Sequence, residues 1–407
     1  MIYHHTLNRY GGTYMGESKG NVLVIGNSGV GKSTLINAVL GEKKADAGWG
    51  LAGTTRGIQA YGNDSIPFRL IDTAGFEPSF FNTMKAVNDV RKWSREGAKK
   101  GHEDNQINVI WFCVDGCARK LFPKSIEQLS RATSIWESVP LIVVITKSYS
   151  VPEREQNIEM VHNAFAKQKR YSNNLQRVIP VVAETYVLNQ GALAAPEGIT
   201  ELIDATNELM PEGIRAAGRD LSKYILSQKR TWAQGLIAAS TAAAVGVGAI
   251  PSGLADSMIL TPMEVAMING LSRIYDIPKD EDSNRFINSI ISAGTVGTVD
   301  KAAIAALKSI PGINLAASVL DAVIAGMVVA ALGETSIYAF EQVYLGNRKV
   351  SDIDWAQKIV EATLTQKLLK EGQDILAELS NTTDKKEIVK IIMKHLAGIL
   401  LPSKTQS

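Results

Sequence analysis

From Asn21 to Met210 the apolar positions form short continuous runs rich in β-branched residues: "NVLVIG", "FRLIDTAG", "INVIWFCVD", "PLIVVIT" and "RVIPVVA". Polar stretches of helical length separate them. Runs that are apolar at successive positions, not alternate ones, indicate strands covered on both faces, so the pattern predicts a doubly wound parallel α/β domain. "GITELIDATNELM", Gly198 to Met210, closes that domain as a helix, and Pro211 discourages its continuation. The expected division is a polar extension over 1–19 and an α/β domain over 20–210.

The pattern changes after Pro211. Thr231 to Ala255 is a run of 25 residues without a charge, dominated by Ala, Gly, Ser and Thr, and Ala302 to Gly333 repeats that character around Lys308 and Asp321. Both regions contain Ile-Pro followed closely by Gly, at Ile250-Pro251 and Ile310-Pro311, which predicts two broken helices or helical hairpins packed together. An all-α, small-residue-rich domain is expected over 211–345, and two amphipathic helices over 346–407. Length allows the uncharged run to span a bilayer, but Ala, Gly, Ser and Thr contribute little insertion energy and Pro251 interrupts it. A tightly packed bundle is the preferred reading, with integral membrane insertion through 231–333 the alternative and reversible, peripheral membrane contact between the two. Asp256 and Glu264 are candidate polar residues there, while Met258, Met263, Met267 and Met327 are read as core fillers.

Composition adds limits. Of 407 residues 45% are hydrophobic and 21% charged, which is globular composition, and 43 basic residues nearly cancel 41 acidic ones. No nucleic-acid partner is evident from that balance. Cys113 and Cys117, without a second pair or a His cluster, read as reduced structural thiols and not as a metal site. The start carries no apolar run behind a positive patch, so a cytoplasmic location is the expectation, and the adjacent His4 and His5 are read as part of a polar terminus.

The chemistry concentrates in "GNSGVGKST", Gly26 to Thr34, behind an apolar strand and ahead of a helix pattern. Gly26, Asn27, Ser28, Gly29, Val30 and Gly31 let the backbone curl so that N–H groups face phosphates at a helix N-terminus. Lys32 reaches the terminal phosphates, Ser33 ligates Mg²⁺, and Thr34 continues the cradle. In "LAGTTRG", Thr55, with Thr54 its competitor, is placed to complete the Mg²⁺ shell. "FRLIDTAGF" puts Asp72 beside the metal and the Gly75 amide at the γ-phosphate.

These motifs resemble the Era and TrmE-like branch of the regulatory GTPases over the first half of the chain. The resemblance implies a Ras-like fold, GTP/GDP and Mg²⁺, slow hydrolysis, and switch segments around Gly53 to Gly57 and from Gly75 onward. Catalytic roles would fall to Lys32, Thr55 and Gly75, and the metal to Ser33, Thr55 and Asp72. Two departures concern hydrolysis: Phe76 stands where Ras-like members carry a water-orienting Gln, and Gly29 where TrmE-like members carry a potassium-binding Asn. Glu77, Lys43, Lys44, Arg56 or a group from a second subunit are the substitutes in view.

A third departure concerns the base. In "VVITKSYS", Thr146 and Lys147 fit the family's base-reading motif, but Tyr149 replaces the Asp whose two oxygens accept both guanine N–H donors. In "VVAETY", Ala183 keeps a backbone N–H for guanine O6, and Glu184 either supplies the missing carboxylate or is a surface charge. The small-residue half, through "AVGVGAIPSGLADSMILTPMEVAMINGLSRIYDI", resembles the YcjF-type domain of unknown function that accompanies some bacterial GTPases. That resemblance implies membrane association or stress responses in some members. Similarity to immunity-related and dynamin-like GTPases is more distant. The partners implied are nucleotide, self-association or a protein activator, and a membrane surface.

Overall fold

Each apolar run of the first half forms a strand of one sheet. In the computed structural model these are β1 (Gly20–Gly26), β3 (Phe68–Thr73), β4 (Ile107–Asp115), β5 (Leu141–Thr146) and β6 (Leu175–Pro180), joined by β2 (Ile58–Tyr61) in the order β2-β3-β1-β4-β5-β6. The structure describes residues 19–43, 58–73, 92, 106–118, 123, 126–127, 138–168, 174–189, 192–212, 221–248, 255–294, 307–309, 315–379 and 384–397. The pairs β1–β3, β1–β4 and β4–β5 are parallel. One strand departs from the expected parallel sheet: β2 runs antiparallel to β3 at the edge. The six residues between them are too few for a crossover, so the chain can only turn back on itself.

By internal contacts the chain forms two units, residues 1–146, 153–179 and 201–224, and residues 147–152, 180–200 and 225–407. In the first, β1 is buried along its whole length, as a central strand must be when helices cover both faces. Leu23, Ile25, Phe112, Val114, Val143 and Ile145 pack on one face against Val161, Ala164 and Phe165 of α2 (Arg154–Ala166). Trp111, one position from Phe112, points to the opposite face. There its Nε1–H donates to Thr206 Oγ1 at 2.9 Å, on α3 (Ile199–Leu209), which satisfies the one polar group of a fully buried indole.

The second unit is mostly helical: the greater part of α4 (Leu221–Gly248), then α5 (Ala255–Ile274), α6 (Glu281–Gly294), α7 (Ala317–Tyr344), α8 (Ile353–Glu378) and α9 (Lys385–Leu396). A hairpin of β7 (Tyr186–Asn189) and β8 (Ala192–Ala194), which no apolar run announced, belongs to it as well. The two Ile-Pro breaks lie outside the described residues, as do the side chains of Asp256 and Met258. Met263, Met267 and Met327 fill the helical core, and Glu264 is fully buried with them.

The small residues let helix axes approach. A Cβ added at Gly333 would lie 2.6 Å from Ile237 Cγ1, and one at Gly326 would lie 2.7 Å from Val245 Cγ2. Numbers that rise along α4 fall along α7, so the two helices run antiparallel. Polar contacts repeat that register. Arg230 donates to both oxygens of Glu341, at 2.5 and 2.9 Å, and Gln234 Nε2 donates to Glu334 Oε1 at 2.6 Å. The Tyr275 hydroxyl donates to Glu341 Oε1 at 3.0 Å, and burial together with that carboxylate pushes its ionisation far up. Among the described residues α7 is the one helix long and apolar enough to cross a membrane, and 72% of its most apolar window is buried inside the protein.

Lys229 is buried completely. Its ammonium donates to Ile274 O at 2.5 Å and Asp276 Oδ2 at 2.8 Å, and lies 5.0 Å from the centre of the Tyr344 ring. A cation at the C-terminal end of α5 meets the negative end of that helix. Lys229→Ala removes these bonds and opens a void, and a loss of roughly 2–4 kcal/mol in urea unfolding is expected. Lys308→Ala, which removes an ion pair to Asp321 whose two side chains are 46% and 41% exposed, should change stability by less than about 1 kcal/mol.

Candidate nucleotide-binding site

Strand β1 delivers the chain to the phosphate loop. Its last residue, Gly26, pairs in register with Cys113 of β4. A Cβ on Gly26 would stand 2.6 Å from Cys113 O and 3.1 Å from Val30 Cγ2, so only glycine allows the chain to leave the sheet here. The backbone then turns through Asn27, Ser28 and Gly29, with φ of 77° at Gly29 and 96° at Gly31, a left-handed conformation that glycine adopts without penalty. Helix α1 (Lys32–Leu40) starts with no acidic residue in its first turn and no side-chain cap, so its positive end is left for an anion. Lys32 Nζ donates to Gly26 O at 3.0 Å and Asn27 O at 3.1 Å, which holds its charge over the loop. Ser33 and Thr34 follow, half-buried.

Asp72 lies near the end of β3, in register with Val24, and is buried. The Cys113 thiol is pushed up to about 12, first by burial; Lys32 opposes that shift and Asp72 adds to it, so lysine, carboxylate and thiol act on one another electrostatically. Ser33 and Asp72 offer a hydroxyl and a carboxylate, the hard oxygen donors that Mg²⁺ selects, so the residues present fit that ion. Among the described residues no group of three or more His, Cys, Asp or Glu could hold a metal ion. Thr54, Thr55, Arg56, Lys44, Gly75, Phe76 and Glu77 lie outside the described residues. Lys43 is exposed.

Thr146 ends β5, and its hydroxyl reaches Val30 O at 2.5 Å and Val114 O at 2.9 Å. It holds the phosphate loop to the sheet. The residues assigned to the base belong to the second unit. Lys147 takes a φ of 52°, unusual for a residue with a side chain, and the Tyr149 N–H closes on Lys147 O at 2.8 Å. Ser148 N–H donates to Val181 O at 3.2 Å, which ties this segment to the one carrying Ala183, half-buried, and Glu184, exposed. Tyr149 stacks on Tyr186, with ring centroids 4.3 Å apart and planes 14° from parallel. Tyr186 lies two positions past Glu184, and in the sequence only its aromatic character marks it.

Thr146→Val should cost about 1 kcal/mol in thermal or urea unfolding, because the one hydroxyl proton shared between Val30 O and Val114 O is lost while shape is kept. Nucleotide affinity measured by titration calorimetry should fall with it.

Residues 21–147 match the family model described as 50S ribosome-binding GTPase, and residues 214–369 match a domain of unknown function, DUF697. A tRNA modification GTPase MnmE from Christiangramia forsetii is 28% identical over 163 residues, 38% of this chain and 31% of that one. A probable GTP-binding protein EngB from Thermotoga maritima is 26% identical over 203 residues, 49% of this chain and 92% of that one. The chain thus spans less than a third of the MnmE relative it matches. Among solved structures, Era in complex with MgGDPNP and 16S ribosomal RNA is 19% identical and covers 54% of this chain and 68% of its own, at a TM-score of 0.29, too low to carry an argument. The chain thus contains a P-loop GTPase domain, matched over residues 21–147, followed by a region matched by DUF697 over residues 214–369.

Proposed function

We propose that the chain binds GTP with Mg²⁺ and hydrolyses it to GDP and phosphate, as a conformational switch controlling the helical domain. The observation that carries this reading is the loop from Gly26 to Gly31: left-handed at Gly29 and Gly31, followed by an uncapped helix start, and holding Lys32 over its carbonyls. In this reading Asn27 through Gly31 offer backbone N–H groups to the phosphates, Lys32 and Thr34 contact them, and Ser33, Thr55 and Asp72 hold the metal. The bound Mg²⁺ neutralises charge on the β- and γ-phosphates. The Gly75 amide meets the γ-phosphate, so loss of that phosphate releases the segment behind it. The GTPase module extends over 20–210, the helical domain over 211–345 and the C-terminal helices over 346–407. A cytoplasmic protein that self-associates or answers to an activator, with or without a membrane surface, fits the missing water-orienting Gln at Phe76.

Phosphate release from GTP measured at saturating Mg²⁺ tests this. Wild type should turn over slowly, and Lys32→Ala should lose about 10²- to 10³-fold. GTP binding without any phosphate release would point instead to a nucleotide-dependent scaffold that hydrolyses only when a partner completes the site.

Guanine selection is assigned to Glu184. The Tyr149 phenol has one oxygen and cannot accept two parallel donors, whereas the Glu184 carboxylate can. In a GTP/ATP competition, Glu184→Ala should reduce the preference for GTP by tenfold or more, on the order expected when a polar reading of the base is lost. An unchanged preference would remove Glu184 from this role.

A further inference from the structure

We infer that Tyr224 and Asn63 clamp the rear end of the phosphate-loop helix to the turn between β2 and β3, and thereby position Ser33 and Asp72 for a shared Mg²⁺. The inference rests on the nucleotide-binding reading above and concerns the first unit alone. It starts from a helix end that α1 cannot satisfy by itself. The last four carbonyls of a helix lack N–H partners within it, and Val39 and Leu40 are buried, so their carbonyls need partners from elsewhere in the protein. The Tyr224 hydroxyl donates to Val39 O at 2.5 Å, and Asn63 Nδ2 donates to Leu40 O at 3.0 Å and to the Tyr224 oxygen at 3.3 Å. Two side chains from distant parts of the chain thus cap one helix and bond to each other. Burial pushes the Tyr224 phenol up to about 12, the Asn63 bond opposing that shift and Glu42 adding to it, so the hydroxyl remains a donor at neutral pH.

The clamp joins two levers. Helix α1 carries Ser33 in its first turn and the clamped carbonyls in its last, and its nine residues form a rod about 13 Å long. Strand β3 leaves the turn that holds Asn63 and carries Asp72 near its far end. Within that turn Asn63 Oδ1 accepts from the Ser65 and Ile66 N–H groups at 2.9 and 3.2 Å, and its carbonyl accepts from Lys19 Nζ at 2.5 Å. A residue fixed on so many sides does not follow α1; it holds α1 to the hairpin. Thr146 ties the loop in front of α1 to the sheet, and the clamp ties its back, so the start of the helix keeps one place relative to the strand that carries Asp72. Mg²⁺ tolerates little departure from octahedral geometry, so a loosened helix loses the metal before it loses the phosphates. Tyr224 also lies within residues 214–369, the DUF697 match, so a residue of that region completes the GTPase unit.

The test is titration calorimetry of the full chain with GDP, in excess Mg²⁺ and in EDTA, read as the gain in affinity that Mg²⁺ brings. Tyr224→Phe, which keeps the ring and removes the hydroxyl, should reduce that gain by about three- to tenfold, the affinity equivalent of one lost hydrogen bond, while affinity in EDTA is kept. Asn63→Asp keeps the oxygen that the turn uses and removes the donor. It should show the same loss, and it serves if Tyr224→Phe does not fold, with far-UV circular dichroism as the check. Thr206→Val, which takes the hydrogen-bond partner from Trp111 elsewhere in the same unit, is the control for destabilisation: it should lower the unfolding temperature and leave the Mg²⁺ gain unchanged. An unchanged gain in a folded clamp variant overturns the inference, as does an equal loss with and without Mg²⁺, or a gain that falls as far in Thr206→Val. A wild type that binds GDP with no gain from Mg²⁺ removes the metal from the site and overturns the clamp's role with it. One that binds no GDP overturns nucleotide binding itself and is distinguishable from all of these.

Discussion

The phosphate loop lies where it does because Gly26 has no side chain. At the end of a fully buried strand, the loop must turn away over β4, and a Cβ at that point would press on the Cys113 carbonyl, a backbone atom that cannot rotate aside. With the contact made, Val30 comes within reach of Thr146, whose hydroxyl also reaches Val114 O. One missing methyl group therefore lets strand, loop and the far strand be joined by short polar contacts. The left-handed turns and the uncapped helix start depend on that first placement.

In the helical unit the same device works at larger scale. Glycines at 326 and 333 let α4 and α7 approach, and two polar pairs, Arg230–Glu341 and Gln234–Glu334, lie in the register that the close packing defines. Removing one member of such a pair leaves a buried group without its partner, so alternative slides of one helix along the other are penalised. The packing supplies attraction and the pairs supply uniqueness. Lys229 adds a third fixed point, joining the fourth helix to the end of the fifth.

Much of the sheet was legible because strands covered on both faces leave continuous apolar runs, and the phosphate loop was legible because its glycines and lysine have fixed spacing. β2 was not: four residues at an edge, buried at Ala60 and Tyr61 and half-buried at Gln59, leave too short a signal. The hairpin at Tyr186–Ala194 was missed for a related reason, since Tyr186, Val187 and Leu188 are each about half-exposed and show no alternation. The buried charges could not be read at all. Glu334 and Glu341 look like surface residues until the helices are paired, because what makes their burial tolerable, Gln234 and the half-exposed Arg230, lies about a hundred residues away in sequence. Tyr149 was recognisable as a departure, but its stacking partner was a matter of tertiary structure.

Cys113 has a consequence beyond packing. Its carbonyl oxygen and Cβ lie against the glycine from which the phosphate loop departs, and a thiolate on this residue would offer oxidants a route to the nucleotide site. With burial pushing the thiol up to about 12, its neutral form dominates near neutral pH and the reactive thiolate is suppressed. The exposed Cys117, four residues on, has no such protection from burial. Peroxide or an alkylating agent would therefore mark the surface of the strand's end before it touched the loop, leaving the phosphate site chemically quiet in a cell whose redox state fluctuates.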